Sequence, residues 1–187
     1  MPNGKIRTRG RLPHWEEDHS VYFVTFRLAD SLPKSVLTSL LAKQTDDPEG
    51  RTKKARDVER LLERNHGACH LEDPMIAGLV ADALKKFDGS RYRLFAWCIM
   101  PNHVHAVFQP ILPSQLEDIL HSWKSYTAHE ANRIQNLKGE DFWQREYFDH
   151  LIRDGKQFDR AIRYTAENPI KAGMKDWSWV YVAKNLT

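Results

Sequence analysis

Two runs rich in apolar, β-branched and aromatic residues, 91–100 and 103–109, are separated by little more than Pro101-Asn102. Each has the length of a strand, and so short a turn joins strands only antiparallel, because a parallel partner needs a crossover of a dozen residues or more. The chain must therefore build on an antiparallel hairpin. Inside its second arm stands His103-Val104-His105. Side chains alternate along a strand, so both imidazoles share one face, roughly 6–7 Å apart, a span that one divalent ion can bridge. Two readings stand at this point: a metal-binding pair, or two polar residues alternating with Val104 on a half-buried strand. Residues elsewhere must decide between them.

Around the hairpin the pattern alternates between strands and helices. Val21 to Leu28 is β-branched and aromatic and ends at Asp30-Ser31-Leu32-Pro33, which predicts a strand. A helix is expected from about Lys34, carrying Val36, Leu37, Leu40 and Leu41. An exposed excursion follows over residues 45–57, where Asp46-Asp47-Pro48-Glu49-Gly50 breaks the period. Helix resumes through Val58, Leu61 and Leu62, stops near Asn65-His66-Gly67, and a further helix starts at Pro74, a residue suited to a first turn. Leu116, Ile119, Leu120, Trp123, Tyr126 and Thr127 predict another helix, running towards Ile134, with Tyr126 on its packed stripe. Residues 142–152 read as turn plus strand. A last helix begins at Gly155, buries Phe158, Ala161, Ile162 and Thr165, and is expected to end at Asn168-Pro169. This order predicts an α+β fold of ferredoxin-like type, an antiparallel sheet with helices packed on one face.

Composition limits the function classes. A chain of 187 residues supports one core, and a single domain over 1–187 is expected. Residues 1–18 form a basic arm in which Arg7, Arg9 and Arg11 alternate with uncharged residues, a spacing that suits a phosphate backbone or a solvated terminus. The net charge of +3 is too small to identify a nucleic-acid partner alone. Cys69 and Cys98 lack Cys-x-x-Cys spacing, and no apolar segment reads as a leader or a membrane span, so a cytoplasmic setting without a membrane partner is expected.

The last predicted helix carries Arg160, Arg163, Tyr164 and Asn168. Residues four apart project to one side of a helix, so Tyr164 and Asn168 approach any sheet beneath them together. If that sheet carries the histidines, two imidazoles, an amide oxygen and a phenol converge. Metal and phenol together suit attack on a phosphodiester. A phenol with a pKa of about 10 is a weak nucleophile at neutral pH, and Arg160 and Arg163 supply cations that favour its ionised form. Alone, Tyr164 reads equally as a packing tyrosine and Asn168 as a helix cap.

Three separated motifs now carry a resemblance: Met100-Pro101-Asn102-His103-Val104-His105, Phe142-Trp143-Gln144-Arg145-Glu146-Tyr147-Phe148-Asp149-His150, and Arg163-Tyr164 followed by Asn168-Pro169-Ile170-Lys171-Ala172-Gly173. In this order they resemble the single-tyrosine HUH transposases, and among those the REP-associated tyrosine transposases. The resemblance implies an HUH nuclease core with His103, His105 and Asn168 on a divalent metal, Mg²⁺ or Mn²⁺. It implies Tyr164 as the nucleophile that cleaves single-stranded DNA and keeps a 5′-phosphotyrosine. Repeats that fold into hairpins would be the substrate, and the chain would act as a monomer or homodimer. Lys124, Arg145, Arg153, Arg160, Arg163 and the arm are the candidate DNA contacts. Tyr126 and Tyr147 compete as nucleophiles, and His121, His129 and His150 as further DNA contacts, with His150 the one to watch. Alternatives are a domesticated protein that binds hairpins without turnover, and a metal protein unconnected with DNA.

Overall fold

The computed structural model describes residues 5–9, 12–16, 20–33, 57–58, 60–62, 65–137 and 139–186. Its centre is a five-stranded antiparallel sheet of β3 (Val21–Arg27), β4 (Tyr92–Ile99), β5 (His103–Pro110), β6 (Phe148–Ile152) and β7 (Val180–Val182), in the order β6-β3-β5-β4-β7. The expected hairpin is β4–β5, closed where Met100 N–H donates to His103 O. The arm forms a hairpin of its own, β1 (Lys5–Arg9) paired with β2 (Leu12–Glu16). Strand β7 was not foreseen, because three residues are too few to show a period.

Among the described residues the helices α1 (Pro74–Lys85), α2 (Leu116–Ile134) and α3 (Gly155–Lys171) pack on the sheet. Asp73 caps α1 by accepting from Met75 N–H, with Pro74 where its missing N–H costs nothing. Asp154 caps α3 through Gln157 N–H. The predicted helix near Lys34, and the excursion over 45–57 apart from the helical Asp57, lie outside the described residues.

The expectation of helices on one face is corrected: both faces are covered. Tyr22, Val24 and Phe26 of β3, with Val104, Ala106 and Phe108 of β5, join Ile76, Val80 and Leu84 of α1 and Ile119, Leu120 and Trp123 of α2 in the main core. On the other face Phe23, Phe95, Ala96 and Val107 meet Ile162 of α3 in a smaller cluster. The β4 register shifts between Leu94 and Ala96, so the adjacent Phe95 and Ala96 both serve this second face.

Two further corrections concern helices. Tyr126 is not on the packed stripe of α2: it is 54% exposed, while Trp123 and Thr127 on either side are buried. Nor does α3 stop before Pro169. It runs on to Lys171 and ends where Gly173 takes φ +81 and Ala172 N–H donates to Asn168 O. A proline inside a helix forfeits one backbone bond and crowds the preceding turn. Here the bond forfeited is the one to the carbonyl of Thr165, one turn before the helix ends.

Candidate active site

The site lies on the α3 face of the sheet. Thr25 pairs directly with His105, and Arg27 with His103. Even-numbered residues of β5 face the main core, which forces His103 and His105 to the other side, where both are buried. Their Nε2 atoms stand 3.0 Å apart.

Each imidazole is oriented by its other nitrogen. Asn102, fully buried, donates its amide to Leu62 O at 3.3 Å and His66 O at 3.1 Å, which leaves its oxygen to accept from His103 Nδ1 at 2.7 Å. With the proton on Nδ1, the lone pair of His103 sits on Nε2. His105 Nδ1 lies 2.8 Å from Thr25 Oγ1, a hydroxyl that can accept there and so give His105 the same tautomer. Phe23 stacks on His105 with centroids 5.4 Å apart and planes inclined by 18°. Burial holds His103 well below the usual imidazole range, helped by its neighbour, and pushes His105 down to about 3. Both rings are neutral at physiological pH, the form in which imidazole binds a cation.

Helix α3 brings the remaining groups. Asn168 is buried, with Nδ2 3.4 Å from His105 Nε2 and Oδ1 without a hydrogen-bond partner. The Tyr164 ring meets His105 edge-on at 5.4 Å and Phe23 at 5.7 Å between centroids. Lys171 Nζ lies 5.6 Å from the centre of that ring and pairs with Glu167 at 3.0 Å.

Residues 75–168, half of the chain, match the family model described as Transposase IS200 like. The chain belongs to that family. A putative REP-associated tyrosine transposase of Haemophilus influenzae is 30% identical over 104 residues, covering 47% of this chain and 57% of the relative. A REP-associated tyrosine transposase of Escherichia coli is 26% identical over 92 residues, 46% and 52% of the two chains. These matches thus reach only about half the length of either partner. Among solved structures, a REP-associated tyrosine transposase bound to a REP hairpin superposes with a TM-score of 0.52 at 15% identity, over 94% of this chain and 81% of that one, a likeness of fold. The shared fold is α+β, a five-stranded antiparallel sheet with helices packed on it. Among the described residues no helix is long and apolar enough to cross a membrane.

The donor set of this IS200-like chain fits a divalent ion. Two donors on adjacent corners of an octahedron with bonds of about 2.1 Å are about 3.0 Å apart, the separation of the two Nε2 atoms. The orphaned Asn168 Oδ1 is the further sign, since a half-turn of the nearly isosteric amide exchanges nitrogen for oxygen beside His105. Among the described residues no group of three His, Cys, Asp or Glu is placed to hold a metal.

The other candidates fall elsewhere. Tyr147 packs against the main core with Lys124 over its ring, and Tyr126 faces solvent, which leaves Tyr164 as the tyrosine beside the histidines. Arg145, Arg153, Arg160 and Arg163 are exposed. Arg7 and Arg9 lie on β1, while Arg11 falls outside the described residues. Lys124 is a clamp: its ammonium donates to Gln144 O at 2.8 Å and Arg145 O at 2.7 Å, and burial holds its pKa down to about 8. His121 lines a cleft of about 550 Å³ with Lys124 and Tyr147, and His129 pairs with Glu130. His150, opposite Phe23 on β6, has Nε2 3.3 Å from Gln157 Oε1. Sequence reasoning passed over Lys171 as the cation at Tyr164, although 164, 168 and 171 fall four and seven residues apart on one helical stripe. It also passed over Thr25 and Asn102, whose roles depend on strand register and on contacts with Leu62 and His66.

Proposed function

We propose that this chain is a metal-dependent single-stranded DNA endonuclease and strand transferase, acting on hairpin-forming repeats with Tyr164 as nucleophile. The observation that carries this is the convergence of Tyr164 and Asn168, one helical turn apart, on His105. His103, His105 and Asn168 would hold the ion, and their two imidazoles suit Mn²⁺ at least as well as Mg²⁺. When bound, the ion supplies Lewis-acid polarisation of the phosphate and neutralises its charge.

The chain's own groups do the rest. Tyr164 Oη attacks phosphorus, one P–O bond forms as the P–O3′ bond breaks, and the proton lost by the phenol is made good on the departing 3′-oxygen. The product is a 5′-phosphotyrosine with a free 3′-hydroxyl, and attack by another 3′-hydroxyl reverses the step without an external energy source. Lys171 stabilises the negative charge that collects on the phenol oxygen, and the edge contacts with Phe23 and His105 hold the ring in place. A hairpin as partner draws its support from the solved relative, which is bound to a REP hairpin.

The test is incubation with hairpin-bearing single-stranded DNA and Mg²⁺ or Mn²⁺, followed by denaturing electrophoresis. A covalent protein–DNA adduct is expected, absent with EDTA and absent in Tyr164→Phe. An adduct that survives in Tyr164→Phe refutes the assignment, and tight hairpin binding without an adduct leaves only a DNA-binding role.

A further inference from the structure

Arg27 ends β3 on the face that carries the histidines. Its register partner is His103, which sets the two Cα atoms about 4.5–5.5 Å apart. Phe23 and Thr25, two and four residues earlier on the same face, touch His105. Tyr164 meets the Phe23 and His105 end. Tyr164 and the strand position of Arg27 therefore lie towards opposite ends of the histidine pair.

The guanidinium is largely withdrawn from solvent and poorly matched. Among the described residues one of its five donors is used, Nη1 to Ser31 Oγ at 3.0 Å, and no carboxylate pairs with it. Ser31 already anchors its turn by donating to Leu28 O, so the turn does not depend on Arg27. Burial alone lowers the pKa to about 10, and the charge of Lys124 repels it. A cation kept from water without an anion weakens a fold. It is tolerated where a ligand completes it, and a guanidinium fork is matched by the paired oxygens of a phosphate.

We propose that Arg27 binds the DNA phosphodiester at the His103 end of the site, on the side from which the 3′-oxygen departs. This placement rests on Tyr164 as the nucleophile, since in-line displacement sets the entering and leaving oxygens on opposite sides of phosphorus. As the P–O3′ bond breaks, its electron pair goes to the 3′-oxygen, and the guanidinium N–H groups disperse that charge. Arg27 stays protonated throughout.

Binding of fluorescein-labelled dT20 in EDTA, followed across NaCl concentrations, tests the phosphate contact without turnover. Arg27→Met is expected to bind about tenfold more weakly at low salt, with a log–log salt slope smaller by about 0.7, one single-strand phosphate contact. Arg27→Lys keeps the slope. The thermal midpoint of Arg27→Met is expected at or above that of the parent, since an unmatched buried cation has gone. An unchanged slope in a folded Arg27→Met protein overturns the proposal. The leaving side is read from adduct formation on a hairpin substrate whose scissile 3′-oxygen is replaced by sulfur. Arg27→Met should be slow on oxygen and restored on sulfur, because a thiolate departs with little help; equal defects on both overturn the placement. If the unaltered chain forms no adduct, Tyr164 loses its role while the salt slope still judges Arg27.

Discussion

Asn102 holds His103 to its task, and replacing it tests whether the site is built by specific bonds or by the strand alone. In Asn102→Leu three groups lose their partners: Leu62 O, His66 O and the Nδ1–H of His103. Leu62 and His103 are buried, whereas His66 is half-buried and its carbonyl can recover a water. At about 1–3 kcal/mol for each fully buried orphan and less for the third, the loss comes to about 4 kcal/mol. The added apolar side chain returns about 1 kcal/mol, leaving about 3 kcal/mol. With a urea slope of about 2 kcal/mol/M, the midpoint should fall by about 1.5 M. Isothermal titration with Mn²⁺ gives the second reading, because losing the group that orients a ligand weakens metal binding by about 10- to 100-fold. Asn102→Asp keeps an acceptor for His103 but turns a buried carboxylate on two carbonyls, and should be worse still. A loss below about 1 kcal/mol with unchanged Mn²⁺ affinity would refute the reasoning.

Lys124→Met should lower stability by freeing two carbonyls, yet leave the salt slope of DNA binding unchanged. Burial holds Lys124 at about 8 against 10.5 for a free side chain, so between those values the unfolded chain binds the extra proton. Stability therefore gains a contribution as pH rises from about 8 to 10.5, which the variant lacks; parallel profiles for parent and variant in urea titrations contradict the clamp. Lys171→Met should slow adduct formation about tenfold, the effect of about 1.4 kcal/mol, with hairpin affinity within about twofold; equal losses in both would make Lys171 a binding residue. Tyr92→Phe removes the hydroxyl that accepts from Trp123 Nε1 at 2.9 Å and donates to Leu84 O at 2.8 Å. A loss of about 2 kcal/mol is expected in chemical denaturation.

The parts legible in the sequence are those governed by short periods. Alternation placed His103 and His105 on one face, and the four-residue step from Tyr164 to Asn168 placed the phenol and the amide together. Residues whose work depends on tertiary register stayed hidden. Arg27 reads as the polar end of an apolar strand until β3 is aligned with β5 and His103 becomes its neighbour. Lys124 reads as a surface cation until residues 144–145 fold back under it. The second layer was missed because which face α3 covers is a tertiary choice, made where Ile162 meets Phe23, Phe95, Ala96 and Val107.

Continuation of α3 through Pro169 matters more to the site than a shifted boundary suggests. Had the helix ended at Asn168, as proline would ordinarily dictate, Lys171 would lie beyond its last turn and off the stripe that carries Tyr164. Pro169 is itself buried at the end of the helix, and Met174 N–H donates to its carbonyl at 2.8 Å, so the chain beyond it is tied back onto the helix. The single backbone bond forfeited at Pro169 buys a lysine seven residues after the tyrosine, on the same side of the helix. The histidines, by contrast, draw their rigidity from the opposite face. Val104, Ala106 and Phe108 lock β5 into the main core, and a slip of one residue would carry His103 and His105 into that core and those side chains out of it. Imidazoles fixed by the large core thus meet a phenol ring held by the smaller cluster around Ile162, and the Asn168–His105 contact joins the two.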